Sequence, residues 1–268
     1  MSRVTMKPGT AALVLLLAVV TPGDDALSES RGAEPASLEQ VVLARFLARP
    51  DESHRRLRVR RRMRAEGLGK RAFMDVRVEM DPEGGFRFQV EAEGGSRLLL
   101  DRAFRAGLAK EREAHAATDP AQRALTSENY LFGSPESEGD GYVRLRAVPR
   151  RPETALLDGS VLVTADSADL VRVEGRLARA PSFWIPRVEV AREFRRIQGH
   201  RVQVRLESVA HLRLLGDVCI VVESDYEMVD GDDIAAPAGR LAEVEDPTRA
   251  AAETPGCRLL HSRVRAVS

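Results

Sequence analysis

One pattern constrains this chain more than any other: long stretches in which apolar and charged residues alternate with a period of two. It begins at Leu57. Leu57, Val59, Met63 and Ala65 alternate with Arg58, Arg60, Arg62 and Arg64. Successive side chains of a strand point to opposite faces, so the pattern predicts one buried and one wet face. The four-arginine stripe reads as the outer face of a half-buried strand, or as an anion-binding surface. The next segment repeats the pattern. Ala72, Met74, Val76, Val78 and Met80 face one way, and Asp75, Arg77 and Glu79 the other. After the turn Asp81-Pro82-Glu83-Gly84-Gly85, Phe86, Phe88, Val90 and Ala92 are expected inward, with Arg87, Gln89, Glu91 and Glu93 outward. Three such strands in succession predict an antiparallel meander.

A meander with one apolar face needs a cover, and the sequence supplies helices. Ser37 opens one through the capping pair Ser37-x-x-Gln40, with Leu38, Val42 and Phe46 at helical spacing and Pro50 ending it. Ser96 reads as the cap of a second helix running to about Ala117. There Leu100, Phe104 and Leu108 form a stripe opposite Arg102, Arg105, Arg112 and Glu113. Packing this stripe on the sheet is the simplest way to bury both. A second β-rich half follows. It comprises Asn129 to Phe132, Tyr142 to Val148, a hairpin turn at Asp158-Gly159, Leu170 to Leu177, Val188 to Ile197, Arg201 to Leu214 and Val218 to Met228. In the late strands Val202, Val204, Leu206, Ile220 and Val222 are expected on the apolar side. The predicted fold class is α+β: a curved, mostly antiparallel, unclosed β-barrel or half-barrel wrapped around two to three helices. The predicted domain spans residues 37–231, with 232–268 a disordered tail rich in Ala, Pro, Asp and Glu up to Gly256.

Residues 1–28 read as a cleaved export signal. Arg3 and Lys7 precede ten uninterrupted apolar residues, Ala11 to Val20, about half of what a membrane-spanning helix requires. Cleavage falls between about residues 23 and 28. No cysteine lies near that region to carry a lipid anchor, and the longest later apolar run, Val218 to Val222, is strand-sized. A soluble periplasmic protein is expected, with no membrane span in the mature chain. Its two cysteines, Cys219 and Cys257, are free to pair there or to stay apart.

Composition narrows the chemistry. Lys+Arg number 41 and Asp+Glu 41, so no bulk positive charge is available for nucleic acid. Two cysteines exclude four-thiolate zinc and cysteine-ligated iron–sulfur clusters within one chain. The histidines, His54, His115, His200, His211 and His261, show no metal-site spacing. Nucleophile-elbow, Walker and Rossmann patterns are absent. No catalytic residue, metal or cofactor is expected. Pro181-Ser182-Phe183-Trp184-Ile185-Pro186 holds the sole tryptophan. It reads as a recognition loop around Phe183 and Trp184, or as a sheet corner with one aromatic in the core.

Several of these segments occur in a telling order. Asn129-Tyr130-x-Phe132, Pro149-Arg150-Arg151 and Asp158-Gly159-Ser160-Val161-Leu162-Val163 come first. Val173-Glu174-Gly175-Arg176-Leu177 and Pro181-Ser182-Phe183-Trp184-Ile185 follow. Arg205-Leu206-Glu207-Ser208-Val209-Ala210 and the Gly216-to-Tyr226 strand close the series. Over residues 38–231 the arrangement resembles the bacterial lipoprotein-sorting LolA/LolB-like superfamily. The resemblance implies an unclosed antiparallel sheet around helices and a non-enzymatic carrier of lipid-like ligands or lipoprotein acyl chains. On that reading Leu100, Phe104, Leu108, Val204, Leu206, Ile220 and Val222 line an apolar cavity. The alternatives are an envelope scaffold with a filled core that contacts partner proteins, and an exported hydrolase with an unrecognised site.

Overall fold

The structure is a computed structural model and describes residues 37–49, 52–117, 120–139 and 141–235. The expected export signal, Cys257 and the tail beyond residue 235 lie outside them. Helix α1 (Leu38–Ala48) starts as the sequence dictates, with Ser37 accepting from the Gln40 amide and the Gln40 side chain returning to the Ser37 N–H. Three strands follow: β1 (Leu57–Gly67), β2 (Lys70–Asp81) and β3 (Gly85–Gly95). Helix α2 is α-helical over Arg97–Leu99, π-helical over Leu100–Arg105 and α-helical again over Ala106–Ala117. Then come β4 (Tyr130–Phe132), β5 (Glu136–Ser137), β6 (Tyr142–Pro149), β7 (Leu157–Thr164), β8 (Leu170–Leu177) and β9 (Arg187–Ile197). The chain continues through β10 (His200–Leu212), β11 (Gly216–Val229) and β12 (Asp232–Asp233).

The twelve strands among the described residues join one antiparallel sheet in the order β3-β2-β1-β11-β10-β9-β8-β7-β6-β4, with β12 on β11 and β5 on β6. Its ends, β3 and β4, do not meet. The fold is therefore α+β with an unclosed half-barrel sheet. Both helices lie on its inner face. β1 sits against β11 and so brings the N-terminal meander to the late hairpins, pairing Met63 with Val222 and Ala65 with Ile220. The outer face carries crossed ion pairs, among them Arg60 and Arg77 with Glu91 and Glu227.

Several local expectations change. Asp158-Gly159 is not a turn but lies inside β7, where Gly159 pairs with Gly175 of β8. A Cβ on Gly159 would sit 1.9 Å from the Glu174 carbonyl oxygen, and one on Gly175 would sit 2.4 Å from the Asp158 carbonyl oxygen. The two glycines let the backbones approach closely. A bulge opposite Asp75 and Val76 reverses the phase of β3, so Glu93, not Ala92, shares the face of Met74. Ser96 makes no side-chain cap; its backbone N–H donates to the Arg71 carbonyl instead. Order also runs past residue 231, because Asp232 and Asp233 pair with Val229 and Met228.

Candidate functional site

The inner face holds two apolar clusters, each beneath its own helix. The first joins Val42 and Phe46 of α1 to Val143 and Leu145 of β6, Val161 and Val163 of β7, Val173 of β8 and Val190 of β9. The second joins Leu99, Leu100, Phe104 and Leu108 of α2 to Val59 and Met63 of β1, Met74, Val76 and Val78 of β2, and Val218 and Val222 of β11. Leu206 of β10 packs against both. Between them, on the inner side of β9 and β10, stand Arg192, Ser208 and Ala210. Arg192 faces Leu206 and Ser208 faces Val190 in register. None of the three belongs to either cluster.

This places the residues singled out from the sequence. Leu100, Phe104, Leu108 and Val222 are buried in the second cluster, and Ile220 and Leu206 pack against it. Val204 is set apart. The register slips between Gln203 and Arg205, leaving Val204 as the extra residue of a bulge, outside both clusters. Its alternation with Leu206 is broken by that single inserted residue.

Two charged residues on the inner face escaped the sequence reading. Arg61 sits between Val59 and Met63 and points inward with them. It donates two hydrogen bonds to Glu111 of α2, at 2.7 and 2.9 Å. Burial alone would lower the Arg61 pKa, but the Glu111 carboxylate outweighs it and raises it. Arg192 occupies the matching place in β9, between Val190 and Phe194. Burial pushes its pKa below the usual arginine range, and the groups acting on it are Tyr130, Arg123 and Glu111. Among the described residues Arg192 has neither a hydrogen-bond nor an ion-pair partner. The available signal was a charged residue in phase with an apolar face. Two tyrosines border the same region: the Tyr226 hydroxyl donates to the Gln203 carbonyl at 3.0 Å, and the Tyr130 hydroxyl accepts from the Leu157 amide at 3.2 Å.

At one end of the sheet, His54, His200 and Asp230 bring potential ligand atoms within 4.8 Å of one another. Their hydrogen bonds describe a clamp. His54 Nδ1 meets Asp230 Oδ2 and its Nε2 meets the Arg201 carbonyl, both at 2.8 Å. Asp230 Oδ1 accepts the Arg55 and Arg56 amides at 2.7 and 3.0 Å. Burial would raise the Asp230 pKa; these donors outweigh it and lower it. The cluster ties the approach to β1 onto the turn after β11, with both His54 nitrogens already engaged.

At the opposite end, Phe183 and Trp184 are 68% and 63% exposed, so neither plugs the core. Their rings meet edge to face at 5.5 Å. Arg213 ties this loop to the β10–β11 turn. Its guanidinium lies 4.3 Å from the Phe183 ring centre, its Nε donates to the Phe183 carbonyl and its amide to the Trp184 carbonyl. The next residues, Leu214 and Leu215, are 98% and 63% exposed. Four large apolar side chains are thus presented together on two linked turns.

No family model matches the chain, and no curated protein does. Among solved structures, a LolA superfamily protein from Nitrosomonas europaea is similar over 75% of this chain and 96% of that protein's chain. The identity is 12% and the TM-score 0.33. No helix among the described residues is long and apolar enough to cross a membrane.

Proposed function

We propose that this protein is a non-enzymatic binding or carrier protein for a lipid-like ligand or lipoprotein acyl chains, held on the inner face of the sheet. The supporting observation is the division of that face into two apolar clusters under separate helices, joined at Leu206, with Arg192, Ser208 and Ala210 in neither. An acyl chain laid between the clusters extends both and gains about 0.8 kcal/mol for each methylene removed from water. No covalent chemistry is required, in keeping with a sequence that lacks nucleophile motifs. In this reading Leu100, Phe104, Leu108, Leu206, Ile220 and Val222 wall the ligand, and Val204 stands beside the site at its bulge. In this reading the protein works in the periplasm after removal of the segment 1–28. Purification from native periplasm, followed by mass spectrometry of the extract, should return bound lipid or acylated peptide. Repeated recovery of a lipid-free protein that also takes up none on incubation with vesicles would reject the proposal.

The same proposal assigns Phe183, Trp184, Leu214 and Leu215 to the lipid surface from which the ligand is collected. Aromatic rings and leucines beside an arginine suit the boundary between headgroups and acyl chains. Trp184 is the sole tryptophan, so its fluorescence reports on this loop alone. Its emission should shift to the blue on addition of phosphatidylglycerol vesicles. An unchanged spectrum at saturating lipid would withdraw the assignment.

A further inference from the structure

We propose that the ligand is an anionic amphiphile whose carboxylate or phosphate is bound by Arg192; this rests on the carrier reading above. The inner face presents Arg61 from β1 and Arg192 from β9, with Glu111 of α2 reaching in from the helix. Arg61 and Glu111 satisfy each other through two hydrogen bonds. That pairing commits the acid and leaves Arg192 without one. A guanidinium stays charged at any physiological pH and presents five N–H donors. Partly withdrawn from water without an acceptor, such a group recovers little of its desolvation cost. Among its neighbours only the Glu111 carboxylate favours its charge at neutral pH, and that carboxylate is already bonded to Arg61. Tyr130 donates no negative charge at neutral pH, and Arg123 adds positive charge. An arriving anion relieves both conditions. The placement suits an amphiphile in particular. Arg192 lies opposite Leu206 in register, and Leu206 touches both apolar clusters. A headgroup held at Arg192 leaves its chain beside two apolar walls.

The experiment compares a dansyl-labelled long-chain fatty acid with its uncharged methyl ester, by fluorescence titration of the full chain. The wild type should bind the acid about tenfold or more tightly than the ester, as expected for charge-assisted hydrogen bonds. Arg192→Met should erase that preference and leave ester binding unchanged. Arg192→Lys should restore part of it, showing that charge rather than folding is responsible. Equal binding of acid and ester by the wild type, unaltered by Arg192→Met, overturns the anion seat while leaving the carrier reading in place. Failure of both probes to bind overturns the two together.

Discussion

Arg61 of β1 and Glu111 of α2 meet through two hydrogen bonds of 2.7 and 2.9 Å, fixing the helix to the sheet by charge as well as by apolar packing. The Arg61 side chain retains 18% exposure and Glu111 35%, so the pair is worth less than a fully buried one. Glu111→Ala strands Arg61 on the inner face and should cost about 2 kcal/mol in denaturant melts. Replacing both, as Arg61→Met with Glu111→Leu, should recover most of the loss. A double variant as unstable as the single one would show that the pair is not what the helix depends on.

The stripe on α2 should be unequal to its opposite side. Phe104 is fully enclosed among Met74, Val76 and Leu100 and their neighbours, so Phe104→Ala should cost about 3–5 kcal/mol. Arg105, on the exposed side, donates to Glu93 and Asp101. Arg105→Ala should leave the melting temperature within error, because exposed pairs are screened by water and salt. Equal melting temperatures for the two variants would put the stripe at the surface.

This helix and the strands around it were legible because each follows one period over ten or more residues. Val42 and Phe46, Leu100 and Phe104, and the alternations of β1 and β2 fall where spacing places them. What escaped were single insertions. A bulge costs one residue and leaves composition unchanged, but it reverses every face beyond it. Glu93 and Val204 are both misplaced for that reason. Gly159 reads as a turn residue in isolation; its need for a strand appears only when Gly175 is opposite it. Arg61 and Arg192 were hidden in plain alternation, as charges standing where an apolar residue was due. Their chemistry depends on partners from elements far away in sequence, which spacing does not reveal.

Acid should destabilise the fold through its paired carboxylates. Asp158 accepts from Arg146 and Arg176, and the Arg146 hydrogen bond, followed by that of Arg176, holds its pKa below the usual range. The folded protein therefore keeps Asp158 ionised at a pH where the unfolded chain takes up a proton. The contribution is constant above the unfolded value, about pH 4, and is lost as pH falls towards the folded one. Melts of Asp158→Asn should be less stable than wild type at pH 7, and the difference should shrink as acid protonates the folded carboxylate. Parallel curves at all pH values would contradict this coupling.

The binding of an amphiphile between the two apolar clusters is decided by one titration. Ser208 stands on the inner face between Ile220 and Val190, and a tryptophan there would occupy the space assigned to the ligand. Arg195, on the opposite face of β9, is exposed and serves as the control. The dansyl-labelled fatty acid should bind the wild type and Arg195→Trp at micromolar concentration. Ser208→Trp should bind it about tenfold more weakly, with a melting temperature close to wild type. Absence of saturable binding to the wild type, or equal affinity of all three proteins, would contradict the carrier function proposed for this fold.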